Sequence, residues 1–492
     1  MRNLNIAIAL ILLVAVEGYS QKIKPEPCEV PGTEPGKTAK VLCGSFEVYE
    51  DRVAKTGRKI KLLIHVYPAT GEKKEPDPMF YIPGGPGSSA TEDAPYVAEE
   101  LAKIRENRDL VFVDQRGTGG SNPLVCGLFS RDDVQSYLGH WSPLDQTRRC
   151  RQELEKKADL RLYVTTIAMD DLDDVRAALG YTKINLLGAS YGTRAVQTYI
   201  KRHGENVRAA ILHGVSPTGQ FMPRDFPQHT ERALNGVIDE CNSDRACRAA
   251  FPNVRADEKA VLAKLKSGPV EADVRIPPDR SKPTRVRLSR DVAGEAVRYM
   301  LYNPGAASRI PLVFGEAAKG NFAPLAEAAI FYRQNVVATG ATGLYLSITC
   351  AEDLPFAGVN NAEKQKADDE TFLGDYRLRQ QREACAEWPR AAVEKGYSEL
   401  VFSKVPVLIM TGQWDPVTPP LYGDLVAKGL SNSIHVVVPS GGHGFGGLTG
   451  TDCITNLTTT FIRTADPRGL ETSCVGSIRR DGFVLKLPDD NR

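Results

Sequence analysis

The sequence predicts an α/β fold: a mostly parallel sheet with helices on both faces and an inserted helical cap domain. Two observations predict it. Short apolar strands alternate with helical patterns up to about residue 216, and this alternation is typical of a parallel sheet. Two further apolar strands follow a long helical stretch near the end of the chain. They need the same sheet as a pairing partner.

Composition and charge exclude several classes of protein. The chain has 492 residues, with 62 Lys and Arg against 61 Asp and Glu, and a net charge of +1. Hydrophobic residues make up 42% and charged residues 25%, the balance of an ordinary globular protein. A neutral chain without a basic stripe argues against nucleic-acid binding, because phosphate recognition needs positive charge.

The N-terminus predicts export. Met1–Asn3 forms a short positive segment, Ile6 to Val16 is apolar, and Gly18–Ser20 supplies small or polar residues. Eleven apolar residues are too few to span a bilayer, so we interpret residues 1–20 as a cleaved signal peptide. An uncleaved anchor is the alternative. No later segment is long enough for a membrane span, and we therefore expect a secreted or periplasmic protein without a stable one.

The ten cysteines agree with export, because an even number in a secreted chain suggests disulfides. Neighbours in sequence could pair, although the sequence alone leaves the connectivity open: 28–43, 126–150, 241–247, 350–385 and 453–474. The cysteines and histidines do not have zinc-ligand spacing, so we expect no metal.

The first part of the chain carries the strands in order. Residues 22–37 are rich in Pro, Gly and Glu and are expected to form an extended arm, and 40–67 contains two strand-like stretches. A helix is expected over Ile167–Leu179, ending at Gly180. Four apolar strands are expected after the arm and the two strand-like stretches: Met79–Ile82, Leu110–Val113, Ile184–Leu187 and Arg208–Leu212.

The pattern changes between residues 217 and 400, which are largely helical with Pro-rich breaks near 276–284. Strands return at Val405–Met410 and Ile434–Val438. We interpret this as one sheet with an insertion between its sixth and seventh strands, because two independent domains would leave the last strands without a sheet. The expected division is a signal peptide (1–20), a core (21–216), a helical cap (217–400) and the rest of the core (401–492).

A candidate nucleophile lies in the segment 188–192, Gly-Ala-Ser-Tyr-Gly. It follows a strand and opens a helix, which is the context of a nucleophile elbow. Glycines on both sides allow a sharp turn that leaves the Ser190 hydroxyl exposed at a helix N-terminus. The Tyr191 N–H and the positive helix end can then stabilise an oxyanion.

The base and the orienting acid follow in order. Asp415 comes directly after one predicted strand, and His443 follows the next in a glycine-flanked loop. The order Ser, Asp, His is that of α/β-hydrolases. The alternatives are a turn aspartate and a surface-loop histidine. A second oxyanion donor is expected from the loop after an early strand, with Gly84 or Gly85 as the candidate N–H and a plain glycine turn as the alternative.

Five motifs follow one another in the chain: Pro83–Gly87, Asp114–Gly119, Gly188–Gly192, Asp415–Pro419 and Gly441–Gly444. Together they resemble the prolyl-iminopeptidase and tripeptidyl-aminopeptidase group of α/β-hydrolase serine peptidases, from about residue 40 to beyond His443. Prolyl iminopeptidases usually have His where this chain has Pro83. This moves the resemblance toward the secreted tripeptidyl-aminopeptidase branch and away from strict proline specificity.

The resemblance implies an exopeptidase whose helical cap presents acidic residues to peptide substrates with a free N-terminus. Glu352 and Asp353 are the candidate amine-binding residues, and a disulfide between Cys350 and Cys385 would hold them; a solvated acidic face is the alternative. By the same resemblance, Arg116 would either pair with a carboxylate near the site or form a purely structural ion pair.

The expected reaction is acyl transfer. Ser190 attacks the scissile carbonyl, His443 takes its proton and Asp415 holds the imidazole, without a cofactor or metal. A carboxylesterase or lipase would use the same three residues. A non-catalytic binding module would require the triad to be broken, and the sequence keeps all three residues.

Overall fold

The computed structural model describes residues 22–130, 132–277, 281–337, 340–358 and 362–487. The predicted signal peptide lies outside the described residues. None of the described helices is both long enough and apolar enough to cross a membrane.

Nine strands form one sheet in the order β1-β2-β3-β5-β4-β6-β7-β10-β11. The pairs β1–β2, β2–β3 and β3–β5 are antiparallel, and the remaining neighbours are parallel. The predicted fold class is therefore confirmed. The described strands are β1 Glu26–Pro31, β2 Thr38–Tyr49, β3 Lys59–Tyr67, β4 Met79–Ile82, β5 Leu110–Val113, β6 Ile184–Ala189, β7 Val207–His213, β8 Val270–Val274, β9 Thr284–Leu288, β10 Val407–Gly412, β11 Ser433–Val438, β12 Leu448–Thr449 and β13 Arg479–Arg480.

Helices cover both faces of the sheet, and those between β7 and β10 build the insertion. The described α-helices are α1 Ala90–Glu100, α2 Ala102–Arg105, α3 Leu144–Glu155, α4 Thr165–Ala178, α5 Tyr191–His203, α6 Met222–Ser243, α7 Arg245–Ala250, α8 Val254–Lys266, α9 Arg290–Met300, α10 Pro304–Ala307, α11 Ile310–Ala318, α12 Ala323–Tyr332, α13 Thr342–Glu352, α14 Ala362–Glu370, α15 Tyr376–Glu387, α16 Pro420–Ala427 and α17 Asp452–Thr464.

The central strands are apolar throughout because both of their faces are covered. Along β5, Val111 packs into the core on one side of the sheet and Phe112 into the core on the other. Both side chains are fully buried. Parallel strands buried on two faces need no alternation of polar and apolar residues. This explains why the predicted bounds of β4 and β5 match the structure.

The expected number of strands before the insertion was wrong. The segment 22–37, expected to be an extended arm, contains β1, which pairs with β2 along the edge of the sheet. Seven strands of the sheet therefore precede the insertion, not six. In addition, β8 and β9 form an antiparallel hairpin within the otherwise largely helical insertion. The insertion also has a hydrophobic core of its own, which includes Val237, Val286 and Phe314.

All ten cysteines are paired. The five disulfides join the sequence neighbours: Cys28–Cys43, Cys126–Cys150, Cys241–Cys247, Cys350–Cys385 and Cys453–Cys474. Cys350–Cys385 joins the end of α13 to α15, two helices that border the cavity described below. Disulfides are typical of proteins that fold in an oxidising compartment.

Candidate active site

Ser190 occupies the turn between β6 and α5, in a backbone conformation that only a constrained site maintains. Its φ is +55° and its ψ is −122°, which costs about 1–3 kcal/mol for a residue other than glycine. Its N–H donates to the carbonyl oxygen of His213 at 2.8 Å. The Thr193 hydroxyl donates to the Ser190 carbonyl at 2.6 Å. These contacts hold the serine at the helix N-terminus.

The packing around Gly188 and Gly192 leaves no room for a side chain at either position. A Cβ at position 188 would lie 2.5 Å from the Gly192 carbonyl oxygen. A Cβ at position 192 would overlap the carbonyl oxygen of Ile82 at the end of β4. The turn is therefore packed against its own helix and against the neighbouring strand. Any side chain at either position would move Ser190.

Asp415 follows β10 and is fully buried. Its Oδ1 accepts the backbone N–H groups of Val417 and Thr418 at 2.8 and 2.7 Å. Its Oδ2 accepts the Thr418 hydroxyl at 2.6 Å and Nδ1 of His443 at 2.8 Å. Burial by itself would raise the pKa of Asp415, but His443 and the Thr418 hydrogen bonds outweigh it and lower this pKa to about 2.

This arrangement selects one tautomer of His443. The carboxylate of Asp415 can only accept, so Nδ1 of the ring carries the proton that it donates. In the neutral ring Nε2 then has a free lone pair and can take a proton from a hydroxyl. The Asp–His pair therefore has the arrangement that a general base requires.

The histidine ring is positioned by contacts from both parts of the chain. A Cβ at Gly214 would lie 3.0 Å from the ring carbon Cε1. On another side the ring of Tyr302, just after α9, has its centroid 4.8 Å from that of His443. The Gly444 N–H donates to the Tyr302 carbonyl at 2.7 Å. The insertion thus contacts the candidate base directly.

The glycine loop after β4 lies beside Ser190. A Cβ at Gly84 would be 2.7 Å from the serine Cβ and 3.4 Å from its Oγ. Gly85 has a φ of +115°. Tyr191 is the first residue of α5. Gly84 and Tyr191 therefore border the serine, and Gly85 lines the same cavity as Ser190.

Ser190 and His443 both line a cavity of about 310 Å³. The glycine loop forms one wall, and residues of the insertion form much of the rest. Among the lining residues are Trp141, Arg298, Tyr299, Tyr302, Tyr345 and Arg377. A smaller cavity of about 80 Å³ also reaches Ser190 and is lined by Arg194 and Asp353.

Glu352 and Asp353 are both buried. Glu352 accepts the Thr165 N–H at 2.6 Å and the Thr165 hydroxyl at 2.7 Å, and it also accepts the hydroxyl of Tyr397. Arg194 donates to Oδ1 of Asp353 at 2.5 Å. Burial raises the pKa of both carboxyl groups. Only Asp353 of the two lines the small cavity beside Ser190.

Arg116 lies away from these cavities and forms a structural ion pair. It donates to both oxygens of Asp171 on α4, at 2.7 and 3.1 Å. It also donates to the backbone oxygens of Glu50 and Leu162. The nearby Asp114 accepts the N–H of Thr91 at 3.0 Å.

Sequence reasoning missed Thr418, Tyr302 and Arg194. For Thr418 a signal was present, because a hydroxyl residue three positions after a turn aspartate can bond back to the carboxylate. Tyr302 and Arg194 meet their partners only through the tertiary fold. No local pattern marks them.

Known protein families match two segments of the chain. A family model described as "alpha/beta hydrolase fold" matches residues 77–248, and one described as "TAP-like protein" matches residues 344–474. The chain has the α/β-hydrolase fold. A crystal structure of a proline iminopeptidase-related protein from Thermus thermophilus aligns with 17% identity and a TM-score of 0.33, over 85% of this chain and 91% of that chain.

Two curated proteins are similar in sequence. Serine protease Hip1 of Mycobacterium tuberculosis is 26% identical over 481 residues, covering 87% of this chain and 88% of that protein. Tripeptidyl aminopeptidase of Streptomyces lividans is 29% identical over 190 residues, covering 36% of this chain and 35% of that protein. The resemblance to the prolyl-iminopeptidase and tripeptidyl-aminopeptidase group is confirmed. These similarities support a serine peptidase of the α/β-hydrolase type.

Proposed function

We propose that the protein is a secreted serine aminopeptidase that hydrolyses peptide bonds near a free N-terminus through an acyl-enzyme. One observation carries the proposal. Asp415 and His443 are joined by a hydrogen bond of 2.8 Å, and His443 shares its cavity with the strained Ser190. Such a constellation fits nucleophilic catalysis at a carbonyl.

The reaction proceeds in two acyl transfers. Nε2 of His443 takes the hydroxyl proton of Ser190 as the serine oxygen bonds to the scissile carbonyl carbon. The imidazolium then gives this proton to the leaving amine nitrogen, the C–N bond breaks and an acyl-serine ester remains. Water, deprotonated by the same nitrogen, attacks the ester and releases the acid, while Asp415 stabilises the imidazolium in both halves.

Backbone N–H groups stabilise the tetrahedral oxyanion. The Tyr191 N–H at the start of α5 is one donor, and the N–H of Gly84 or Gly85 is the other. Each donor contributes about 3–4 kcal/mol to transition-state stabilisation in comparable sites. The absent side chain at Gly84 allows this approach, since a Cβ there would lie only 2.7 Å from the Ser190 Cβ.

The proposed preference for a free amino terminus rests on the small cavity. Asp353 lines it and has one oxygen on Arg194, while Glu352 lies next to it in sequence with both oxygens engaged. Two carboxylates against one guanidinium give this region an excess of one negative charge when both acids are ionised. In a buried pocket this favours a protonated amine over a blocked one. Asp353 is the residue that the amine contacts, and Glu352 supplies charge from behind.

Secretion is supported by the five disulfides and by the signal-like composition of residues 1–20. Disulfides of this number are rare in reducing compartments. The mature enzyme would then act outside the cytosol.

The test uses purified mature protein and a mixed library of short peptides, each with a free or an N-acetylated terminus. Mass spectrometry follows the products, with Ser190→Ala as the blank. Cleavage confined to free termini supports the proposal, and the product length separates single-residue from tripeptide release. Equal cleavage of acetylated peptides contradicts the amine site. Hydrolysis of short acyl esters without any peptide cleavage would establish a carboxylesterase instead.

A further inference from the structure

Three buried arginines lie near a single carboxylate, and two of them, Arg298 and Arg377, line the large cavity. Arg298 donates to both oxygens of Glu295, at 3.0 and 2.9 Å. Arg377 and Arg333 lie close enough to lower the pKa of Glu295 further, against the effect of burial. Three guanidinium groups and one carboxylate leave two positive charges in excess.

In the described part of the chain, neither Arg333 nor Arg377 has a carboxylate of its own, and of these two arginines Arg377 is the one that lines the large cavity. Its Nε lies 3.8 Å from the Glu295 oxygen that already accepts from Arg298. Its Nη2 donates to the Tyr345 hydroxyl at 3.0 Å. Its guanidinium carbon lies 4.3 Å from the centroid of the Trp141 ring. The ring and the hydroxyl fix the orientation of the side chain but do not neutralise its charge.

Two of the nitrogens of Arg377, Nε and Nη1, have no hydrogen-bond partner among the described residues. The residue is only 5% exposed, so water in bulk does not compensate them. A buried charged group without a partner is costly, and native structures rarely keep one without a reason. Arg377 lines the cavity that contains Ser190 and His443. A ligand in this cavity can supply the missing acceptor.

We propose that Arg377 binds a carboxylate group of the peptide substrate. This inference rests on the proposed function and adds to it the substrate class: short peptides that carry a carboxylate within reach of the scissile bond. Guanidinium is the side chain best suited to such a group, because its planar N–H donors match carboxylate oxygens. The group comes either from the peptide C-terminus or from an Asp or Glu side chain.

Ser190 lies between the two recognition sites, since it lines both cavities. The small cavity presents Asp353 to an amine, and the large cavity presents Arg377 to a carboxylate. A peptide with both charges would therefore be oriented at the serine by its amine and its carboxylate.

The test measures binding, so that it does not depend on turnover. Full-length mature Ser190→Ala protein is titrated by calorimetry with two pairs of free-amine tetrapeptides of alanine. The first pair differs in a C-terminal carboxylate or carboxamide. The second pair has carboxamide ends and carries Glu or Gln at one position. At least one carboxylate member is expected to bind about tenfold or more tightly than its partner.

The pair that shows the preference identifies the source of the carboxylate. Equal affinities within both pairs, or no binding by any of the four peptides, would overturn the inference. Peptide cleavage by wild-type protein is measured separately on the amidated peptides. Cleavage without a carboxylate preference leaves the proposed function intact, and a carboxylate preference without cleavage leaves the binding site intact.

Arg377→Gln in the same background should bring the affinity ratio close to one while neutral peptides bind as before. Arg379→Gln is the matched control: Arg379 lies on the same helix, is partly exposed, and pairs with Asp291 and Asp375. It should leave the ratio unchanged. If Arg377→Gln does not fold, Arg377→Lys keeps the charge and should retain a reduced preference for the carboxylate peptide. In either case, the affinity ratio measured with Arg377 intact decides whether the inference stands.

Discussion

The ring of Tyr302 lies 4.8 Å from the ring of His443, although the two residues belong to different parts of the chain. Tyr302 follows α9 in the insertion, and His443 follows β11 in the sheet. Arg298 donates to the Tyr302 hydroxyl at 2.6 Å. Tyr302 therefore connects the candidate base to Arg298, which lines the large cavity.

Removing any member of the proposed triad should abolish turnover and leave the protein folded. Ser190→Ala and His443→Ala should each reduce kcat by about 10⁴-fold or more, and Asp415→Ala somewhat less, because these residues act as one unit. Hydrolysis of free-amine peptides and circular dichroism measure the two properties. Ser267→Ala, at an exposed position, serves as the control. Near-normal turnover by Ser190→Ala would reject the assignment.

Thr418→Val should weaken the Asp415–His443 pair while all three residues of the proposed triad remain present. The hydroxyl donates to Asp415 at 2.6 Å and lies 2.9 Å from Nδ1 of His443. Losing a hydrogen bond to a buried charge costs about 1.5–3 kcal/mol, so kcat should fall about tenfold or more. The diagnostic readout is kcat, because Thr418 also lines the small cavity and its replacement affects KM through that cavity. Thr284→Val, in an exposed strand, is the control, and an unchanged kcat in Thr418→Val would contradict this role.

Asp415 should make stability depend on pH below about 4. Its pKa is about 2 in the folded state, against an ordinary value of 3.8. A depressed pKa contributes stability above the unfolded value, and this stability is lost as the pH falls through the folded value. Between pH 5 and pH 2 the wild type should therefore lose about 2 kcal/mol more than Asp415→Asn. Denaturant unfolding at several pH values measures both, and parallel curves would count against the shift.

Gly192→Ala should be strongly destabilising, because the added Cβ would overlap the Ile82 carbonyl oxygen. Overpacking of this kind costs about 1–3 kcal/mol or more. Gly127→Ala is the matched control, since a Cβ there would meet no atom within 4 Å. Thermal unfolding compares the two variants. Equal melting temperatures would show that the turn can relax.

Removing Cys350–Cys385 should affect both stability and substrate binding. Replacing both residues by Ser opens a loop with a sequence separation of 35, which costs about 3–4 kcal/mol in the chain-entropy model. KM should also rise, because α13 carries Tyr345 and α15 carries Arg377.

The control for that variant is the double replacement of Cys241 and Cys247, whose disulfide closes a separation of only 6. Its loss should be smaller, about 2 kcal/mol, with KM unchanged. Equal effects of the two double variants on KM would show that the first disulfide has no special link to the cavity.

Much of the sheet could be predicted because its strands are buried on both faces. The bounds of β4 and β5 followed from apolar runs alone. The edge strand β1 did not, since Pro and Glu mask its pairing with β2 and the pairing is visible only in three dimensions. The hairpin of β8 and β9 did leave a signal: buried Val270, Ala272 and Val274 alternate with exposed residues.

Within the site, the order of Ser190, Asp415 and His443 was readable because each follows a strand. The partners of the charged residues around them could not be predicted from the sequence. Arg194 contacts Asp353 across 159 positions of the chain. Arg377 on α15 contacts Trp141, which lies just before α3. Contacts of this kind depend on how the insertion packs on the sheet, and no local sequence pattern encodes that packing.

The division of labour between sheet and insertion has an evolutionary consequence. Ser190, Asp415 and His443 are supplied by loops at the sheet, whereas Tyr345, Asp353 and Arg377 are supplied by the insertion between β7 and β10. The residues of the proposed hydrolytic step and those of the proposed peptide recognition can therefore diverge separately. Exchange of the segment between these two strands would change the substrate specificity of such a hydrolase while its catalytic residues stayed the same.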